Sequence, residues 1–417
     1  MPPTPGIRAW AIASGAMTEH VPTPHLTDPT VLVTLIGADQ SGVSTRLFEQ
    51  LAGFDVEVID VEQLIVRGRL MLSALVTVPV DEATFEHTMR TVGEEFGLEV
   101  ELEQGIGDNR PRRVGRGQVT LLGHPLRPAA MAAITQRITD AGGNIDRIMR
   151  LARYPVTALR MEVSGADPDV LQSDLAAAAY EHGVDIAVEE RGILRHAQRL
   201  VVMDVDSTLI QGEVIEMLAE HAGCVADVSR ITEEAMRGEL DFEASLRARV
   251  ALLKGLDASA LDDVRASLEY TPGARTMVRT LKRLGYRFAL VSGGFTEIIG
   301  PIAEELGIDY VAANELEIVD GRLTGRVTGE VIDRAGKAEA LRRFADEADI
   351  PIKNTVAIGD GANDLDMLAA AGLGVAFNAK PVVRDQAQTS VNMPYLDSIV
   401  YLLGITREEV EAADAAD

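Results

Sequence analysis

The sequence contains a single cysteine, Cys224, and few aromatic residues, 4% of 417. One cysteine cannot form a disulfide within the chain or supply a zinc cluster, so we expect Cys224 to be buried in the core of a protein from a reducing compartment. Basic residues are also few, because 39 Lys and Arg oppose 65 Asp and Glu and leave a net charge of -26. Nucleic acids and anionic membranes attract positively charged proteins, so we expect neither as a partner.

Long hydrophobic runs are absent as well. No stretch approaches the roughly 18 apolar residues that a membrane helix needs. Residues 1–28 hold one short apolar stretch among Pro and Thr, which is too weak for a signal peptide, and we expect them to form a flexible tail. We therefore predict a cytoplasmic protein. The hydrophobic fraction of 47% is sufficient for the cores of several domains.

An internal repeat occupies the amino-terminal half, where VTLIG at residues 33–37 returns as VTLLG at residues 119–123. In both copies the apolar and helix-period segments follow the order βαββαβ, which is typical of a ferredoxin-like sandwich. We predict domains at residues 29–108 and 117–192. A linker rich in Gly and Arg, at about residues 103–117, separates the two copies.

From residue 200 onward, strand-length apolar runs alternate with helical segments, a pattern typical of a parallel sheet covered on both faces. The predicted strands are residues 200–204, 287–291, 310–313, 354–359 and 373–377. A helical insertion at about residues 213–270 is too long for a simple crossover and predicts a cap. We assign residues 198–405 to an α/β, Rossmann-like doubly wound domain and residues 406–417 to an acidic tail with a frayed helix.

Polar segments follow three of these strands: DVD at residues 204–206, SGG at 292–294 and DGAND at 360–364. In an open parallel sheet the carboxyl ends of the strands line one crevice. Carboxylates crowded there repel one another unless a cation lies between them. Hard oxygen ligands without His or Cys favour Mg²⁺, so the sequence predicts a magnesium site at this edge.

The spacing of Asp204 and Asp206 suits two roles at one reacting atom. Alternate residues of a strand share a face, so one carboxylate can attack as a nucleophile while the other moves a proton. Such a pair alone is often an ordinary turn, and Lys337 alone is usually a solvated helix residue. Their ordered combination with Ser292 and residues 360–364 is far more specific.

This ordered set resembles the haloacid dehalogenase-like phosphohydrolases over about half of the chain. The resemblance implies that Asp204 is the nucleophile that forms an aspartyl-phosphate. It implies that Asp206 protonates the leaving alkoxide and then activates water. Ser292 and Gly293 would bind phosphate oxygens, and Lys337 would neutralise charge between the nucleophile and the phosphoryl group.

The same resemblance implies a Mg²⁺ ion held by Asp204, the main-chain carbonyl of Asp206, and Asp360. Asp364 would support this site closely, and Asn363 would orient the loop beside the substrate. These roles agree with the physics of phosphoryl transfer, in which positioning and charge neutralisation supply most of the rate.

The cap segment closely resembles that of phosphoserine phosphatases, in Glu213 and in MRGELDFEASLRARV at residues 236–250. The resemblance implies the substrate O-phospho-L-serine, with its ammonium on Glu213 and its carboxylate on Arg249, and with Met236 and Phe242 closing the cap. A guanidinium pairs bidentately with a carboxylate, and a buried acid rejects substrates that lack the ammonium. Taken singly, Arg249 could face solvent, and Met236 and Phe242 could be helix core.

Two other functions stay open. A phosphotransferase that passes the phosphoryl group to another small alcohol, such as homoserine, would use the same catalytic residues. An amino-acid sensor with a vestigial catalytic half is a third possibility, which the intact Asp204, Asp206, Lys337 and Asp360 oppose.

The amino-terminal repeats resemble two tandem ACT domains, which bind small molecules in amino-acid enzymes. The resemblance implies effector contacts beside the first turn, at Gly37, Asp39, Gln40 and Gly42, although ordinary turn chemistry explains these residues equally well. The second copy lacks the acid and the second glycine at residues 123–128, so we expect a scaffold or dimer role for it. We expect a homodimer that the product L-serine regulates by feedback.

Overall fold

The computed structural model describes residues 28–107, 116–190, 199–236 and 239–414. The chain divides into two units, Met1–Arg112 and Arg113–Asp417. Most of the predicted tail at residues 1–28 and the middle of the predicted linker lie outside the described residues. Among the helices that the structure describes, none is both long enough and apolar enough to cross a membrane.

The first repeat is an antiparallel sheet with two helices on one face. Its elements are β1 (Pro29–Ala38), α1 (Val43–Leu51), β2 (Val58–Val66), β3 (Arg69–Thr77), α2 (Glu82–Phe96) and β4 (Glu99–Ile106). The strand order is β2-β3-β1-β4. Alternate residues of a strand share a face, so Val33, Leu35 and Leu72 join Leu47 and Met89 of the helices in one core.

The second repeat has the same topology. Its elements are β5 (Arg116–Gly123), α3 (Pro128–Asp140), β6 (Asn144–Ala152), β7 (Thr157–Ser164), α4 (Pro168–His182) and β8 (Asp185–Glu190), with strand order β6-β7-β5-β8. Leu121 of the sheet packs with Ile134 and Leu175 of the helices. The βαββαβ order predicted for both copies is therefore confirmed.

The carboxyl-terminal part, here called the sheet domain, is built on a seven-stranded sheet. Its strands are β9 (Leu200–Met203), β10 (Arg287–Phe295), β11 (Tyr310–Val319), β12 (Arg322–Thr328), β13 (Thr355–Gly359), β14 (Leu373–Phe377) and β15 (Thr389–Val391). The order is β12-β11-β10-β9-β13-β14-β15, and all neighbours run parallel except β11 and β12. The predicted Rossmann-like fold class is confirmed.

Helices surround this sheet and form a cap between its first two strands in chain order. The cap helices are α5 (Val214–Ala222), α6 (Val225–Met236), α7 (Phe242–Ala251) and α8 (Ser259–Ser267). The remaining helices are α9 (Ala274–Arg283), α10 (Thr296–Leu306), α11 (Arg334–Glu347), α12 (Leu365–Ala370), α13 (Pro381–Arg384), α14 (Ser398–Leu402) and α15 (Arg407–Asp414). Every residue of β9 is buried, because the central strand has helices on both faces.

The second repeat and the sheet domain share a hydrophobic core. Leu122, Ala158 and Ala187 belong to the same buried cluster as Leu402 and Leu403 of the sheet domain. In this repeat one face of the sheet therefore packs on its own helices, and part of the other face packs on the sheet domain.

Several expectations from the sequence need correction. Two strands were missed: β12 is polar and returns antiparallel to β11, and β15 has only three residues. Cys224 is only partly buried, so its expected full burial is wrong. The helix expected in the acidic carboxyl terminus is present as α15, and its Asp414 pairs with Arg279 at 2.7 Å and with Arg283 at 2.9 Å.

Candidate active site

The predicted polar segments meet at one edge of the sheet. Strand β9 lies between β10 and β13. Asp204 and Asp360 directly follow β9 and β13, and Ser292 lies near the carboxyl end of β10. The main chain continues the sheet up to the site, where the Asp204 amide donates to the carbonyl of Ile358 at 2.9 Å. The sheet therefore holds these side chains on a rigid support.

A wide helical turn, Val205–Leu209, follows Asp204 directly. The turn is closed by a hydrogen bond from the Ile210 amide to the Val205 carbonyl, 3.0 Å long. Ser207 has a φ of 57°, a left-handed conformation that costs energy for a residue other than Gly. Because of this turn, the carboxylates of Asp204 and Asp206 have different hydrogen-bond partners.

Lys337 lies between two carboxylates in the interior. Its Nζ is 2.7 Å from Oδ2 of Asp204 and 2.6 Å from Oδ1 of Asp364, and the lysine is 1% exposed. Burial alone would lower the pKa of Lys337, but the negative charges of Asp204 and Asp364 raise it above its ordinary value. The ammonium is therefore permanently charged and holds both carboxylates in place.

The pKa of Asp204 is raised well above its ordinary value, first by burial and then by the charge on Asp364. Lys337 opposes this shift by its charge and its hydrogen bond. A second hydrogen bond to Oδ1 of Asp204 comes from the Val205 amide, at 2.8 Å. The carboxylate is thus oriented by its own turn and by the lysine.

Asp204, Asp360 and Asp364 can hold a metal ion together, because each offers one carboxylate oxygen within 4.8 Å of the other two. Thr208 donates to Oδ1 of Asp360 at 3.1 Å. The pKa of Asp360 is raised to about 6 by burial and by the charge on Asp364. A cluster of hard oxygens with unfavourable mutual repulsion fits Mg²⁺.

The oxygens of Asp364 already have partners, since Oδ1 accepts from Lys337 and Oδ2 accepts from the Gly361 amide at 2.9 Å. This arrangement agrees with the predicted supporting role of Asp364. A Cβ at Gly359 would lie 2.4 Å from Cγ of Asp364, and one at Gly361 would lie 2.1 Å from Oδ1 of Asn363. A larger residue therefore clashes with the base of the Asp364 side chain at position 359, whereas at position 361 it requires the Asn363 side chain to move.

The side chain of Asp206 has hydrogen-bond partners of its own, different from those of the three-carboxylate cluster. Its Oδ1 accepts from the Val214 amide at 2.8 Å, and its Oδ2 accepts from the Ser292 hydroxyl at 3.3 Å. The Ser292 oxygen in turn accepts from the Gly294 amide at 2.8 Å. Burial raises the pKa of Asp206 above its ordinary value, which suits a group that carries a proton.

The cap brings Phe242 and Arg249 to this edge of the sheet. A Cβ on Gly293 would lie 3.0 Å from the Phe242 ring, so this ring lies over the predicted phosphate loop. Arg249 is half-buried, and its pKa is lowered by burial, while Glu213 and Asp206 oppose the shift as nearby negative charges. Arg249 therefore faces the acidic site. Its guanidinium Nε donates to the Ser245 carbonyl at 3.4 Å.

Glu213 lies at the rim of the site and accepts from the Ser207 hydroxyl at 3.1 Å. The pKa of Glu213 is raised to about 7, first because the surrounding protein displaces water and then because of the charge on Asp206. The residue is nevertheless exposed, so water that enters the open site weakens this shift. The side chain of Met236 lies outside the described residues, although α6 ends at this position.

Two residues of the site were missed by the sequence analysis. Thr208 is fully buried; besides its bond to Asp360, its carbonyl accepts from the Thr271 hydroxyl at 2.7 Å. Its position two residues after Asp206 was the one available signal. Asn314 in β11 is 1% exposed and bonds to the Gly293 carbonyl, a contact with no signal in the sequence.

The four predicted effector residues lie at the turn between β1 and α1 of the first repeat. Gly42 has a φ of 97°, which Gly adopts without strain, and it precedes α1. Gln40 donates to the Phe96 carbonyl at 2.7 Å, and the Asp39 amide donates to the Gly68 carbonyl at 2.8 Å. A Cβ at Gly37 would lie 2.4 Å from the side chain of Leu98. Hydrogen bonds therefore connect this turn to the β2–β3 connection and to the end of α2.

Comparisons with known proteins agree with this architecture. Residues 201–369 match the family model of haloacid dehalogenase-like hydrolases, and residues 29–103 and 117–189 match models of ACT domains. A phosphoserine phosphatase of Streptomyces coelicolor is 62% identical over 388 residues, which cover 93% of this chain and 95% of that protein.

A phosphoserine phosphatase of Mycobacterium tuberculosis is 52% identical over 394 residues, which cover 93% of this chain and 96% of that protein. Among solved structures, an unliganded probable phosphoserine phosphatase from Vibrio cholerae matches with a TM-score of 0.55 and 37% identity. That match covers 72% of this chain and 89% of the other.

The parallel sheet, its cap and the aspartate–lysine cluster define a phosphoric monoester hydrolase of the haloacid dehalogenase-like class. With relatives this similar over nearly its whole length, the chain belongs to the phosphoserine phosphatase family, in the form with two amino-terminal ACT domains. The resemblance predicted from the sequence is confirmed.

Proposed function

We propose that this enzyme hydrolyses O-phospho-L-serine to L-serine and inorganic phosphate, the final step of L-serine biosynthesis. One observation carries the proposal. The Asp204 carboxylate is held by the buried Lys337, and the cap beside this pair presents one positively charged group, Arg249, and one carboxylate, Glu213. This set of charges is complementary to a phosphate, a carboxylate and an ammonium on one small molecule. The named relatives, which are phosphoserine phosphatases, support the same substrate.

In the proposed reaction, Asp204 attacks phosphorus and the bond between phosphorus and the serine oxygen breaks. Asp206 donates its proton to the departing alkoxide, which leaves as L-serine. The resulting Asp206 carboxylate then takes a proton from water, whose oxygen attacks the aspartyl-phosphate and releases phosphate. The separate hydrogen-bond partners of Asp204 and Asp206 support this division of roles.

The carboxylates of Asp204 and Asp360, which lie together in the acidic cluster, would hold Mg²⁺ with the main-chain carbonyl of Asp206, and the ion would neutralise charge on the phosphoryl oxygens. Lys337 supplies a second, fixed positive charge, which would remain beside the Asp204 carboxylate in every step. Ser292 and Gly293 would bind the remaining phosphoryl oxygens, with Asn363 orienting the loop beside them.

At the other end of the substrate, Arg249 would pair with the carboxylate and Glu213 with the ammonium. The Phe242 ring, which lies over Gly293, would exclude water together with Met236 when the cap closes, the second of these as the resemblance implies. Water displacement strengthens each of these charge interactions.

The direct test is phosphate release from O-phospho-L-serine with no acceptor alcohol present. We expect release that stops with a chelator and returns when Mg²⁺ is added, but not when Ca²⁺ replaces it at the same concentration, because Mg²⁺ accepts only compact octahedral oxygen geometry. Release without an acceptor also excludes the phosphotransferase alternative. No release from O-phospho-L-serine, together with release from another phosphomonoester, would contradict the substrate but not the class of enzyme.

We further propose that L-serine binds at the turn between β1 and α1 and regulates the enzyme. The exposed Asp39 and Gln40, beside the open backbone of Gly42, support this location. We expect serine to inhibit the full chain and Asp39→Ala to weaken that inhibition. Asp55→Ala, which changes an equally exposed aspartate of the same unit, should leave inhibition unchanged.

A homodimer is the proposed assembly, and a cytoplasmic location stays a prediction from the sequence. Exposed apolar side chains on β2 and β3 support a partner surface: Leu64 is 58% exposed and lies opposite Met71, which is 42% exposed. Light scattering of the purified chain measures the assembly directly. A mass equal to one chain at micromolar concentration would contradict it.

A further inference from the structure

Asn314 uses both ends of its carboxamide inside the sheet domain. Its Nδ2 donates to the carbonyl of Gly293 at 2.8 Å, and its Oδ1 accepts from the amide of Ile332 at 2.9 Å. The residue is 1% exposed. One partner is an acceptor and the other a donor, so only one orientation of the carboxamide satisfies both.

The first partner, Gly293, belongs to the segment at residues 292–294 that is predicted to bind phosphate, here called the phosphate loop. Pairing between β10 and β11 is regular at Val291 with Ala312 and again at Phe295 with Asn314, but it is interrupted between these points. The loop therefore lacks the regular ladder of the sheet at the position where it would bind phosphate. The Asn314 side chain replaces that ladder at the Gly293 carbonyl.

The second partner, Ile332, lies two residues before α11, the helix that carries Lys337. Asp333 caps this helix by accepting from the Gly336 amide at 2.8 Å, and the Lys337 amide donates to the Asp333 carbonyl at 2.9 Å. A displacement of Ile332 would therefore move the first turn of α11. The Asn314 side chain therefore connects the phosphate loop after β10 residue 291 to the residues just before α11.

We propose that Asn314 is a positioning residue that sets the separation between the Gly293 loop and Lys337, the two groups that would hold the phosphoryl oxygens. It acts through these groups and does not contact the substrate. The inference rests on the proposed function for the roles of Gly293 and Lys337. Errors of about 1 Å in such positions cost on the order of 100-fold in rate.

The test compares Asn314→Ala and Asn314→Asp with the wild type on two substrates, O-phospho-L-serine and an aryl phosphate without amino-acid groups. Both variants lose the donor to Gly293, and the Asp variant keeps the acceptor for Ile332. We expect kcat/KM to fall on the order of 100-fold for both substrates alike. We also expect the inhibition constant of inorganic phosphate to rise about tenfold, because the phosphate loop itself is displaced.

The matched control is Asn354→Ala, a buried asparagine just before β13, at the opposite end of that strand from Asp360. This variant should lose stability without changing kcat/KM or phosphate inhibition by more than about twofold, since substitutions at distant sites usually act independently. If Asn314→Ala does not fold, Thr296→Val is the second variant. It removes the hydroxyl that donates to the main-chain carbonyl of Asn314 at 3.1 Å. It should give the same pattern at smaller amplitude.

Two results would overturn the proposal. One is a kcat/KM for Asn314→Ala no lower than that of the control at equal melting temperature. The other is a loss confined to O-phospho-L-serine, which would place the effect at the amino-acid end of the site. If the wild type cleaves only the aryl phosphate, the proposed substrate fails, yet the comparison on that ester still decides the role of Asn314.

Discussion

Asp185 of the second repeat accepts two hydrogen bonds from Asn392 of the sheet domain. The Asn392 amide donates to Oδ2 at 2.9 Å, and Nδ2 of its side chain donates to Oδ1 at 2.5 Å. Asp185 is 2% exposed and begins β8. These bonds connect β8 of the second repeat directly to the segment that follows β15. A displacement of β8 would therefore move the edge of the seven-stranded sheet.

This contact predicts a dependence of stability on pH. Burial raises the pKa of Asp185 to about 6, although the bonds from Asn392 and the charge of Arg384 oppose the shift. In the unfolded chain the group titrates near its ordinary value, so between about pH 4 and pH 6 the folded state binds the extra proton. The contribution of Asp185 to stability is therefore present at low pH and is lost as the pH rises through 6, by about 3 kcal/mol in total.

Denaturant unfolding of the wild type and of Asp185→Asn at pH 4.5 and pH 7.5 measures this contribution. The difference in unfolding free energy between the two proteins should favour the wild type more at pH 4.5, because the Asn side chain does not titrate. A difference that is equal at both pH values would contradict the raised pKa.

Asp204→Asn should abolish phosphate release while the protein stays folded. The amide has the same shape but cannot attack phosphorus, so we expect a loss on the order of 10³-fold or more in kcat. Lys337 keeps its bond to Asp364, 2.6 Å long, which preserves the local fold. Asp366→Asn, on the exposed side of α12, is the control, and a comparable loss in that variant would indicate a general effect on folding.

Lys337→Met should destabilise the enzyme and inactivate it. The substitution leaves Asp204 and Asp364 buried without their counter-charge, which costs about 3–5 kcal/mol at neutral pH. Without the lysine the pKa of Asp204 rises further, so protonation at lower pH should recover part of the stability. Unfolding experiments in metal-free buffer at pH 5 and pH 7 measure this recovery, and the exposed Lys353→Met should show none.

Arg249→Lys should affect one substrate only. The ammonium keeps the charge but loses the planar pairing with a carboxylate, so we expect KM for O-phospho-L-serine to rise by about 10-fold to 100-fold. Hydrolysis of an aryl phosphate should change by less than about twofold, since that ester has no carboxylate for Arg249 to bind. Arg247→Lys is the control, because Arg247 is exposed and pairs with Glu243 at 2.7 Å. Equal effects on both esters would contradict the assignment of Arg249 to the carboxylate.

Periodicity and strand-end chemistry together predicted much of this molecule. Apolar runs with turn residues between them identify β9, β10, β13 and β14, because a buried parallel strand must be apolar on both faces. The same logic failed at β12, whose polar residues pair with β11 in a hairpin at the end of the sheet. A strand that is exposed on one side carries a weaker pattern.

The positions of Asp204 and Asp360 at the site were predictable because each follows a recognisable strand, and that of Lys337 because it completes an ordered set of motifs. The contact between Thr208 and Asp360 was visible only in the folded structure, since the two are 152 positions apart in the sequence. Asp185 and Asn392 are 207 residues apart, and neither belongs to a motif. Hydrogen bonds of this kind depend on how two domains pack, and no local pattern encodes that packing.

The sequence by itself determined the order of the elements, the two repeats and the chemistry of the strand ends, because these depend on local periodicity and residue type. Tertiary structure alone decided how the second ACT sheet packs on the sheet domain within the second unit, and how Asn314 connects Gly293 to the residues before α11. The physical reason is that a buried hydrogen bond or a shared core forms only between surfaces that the fold has already brought together.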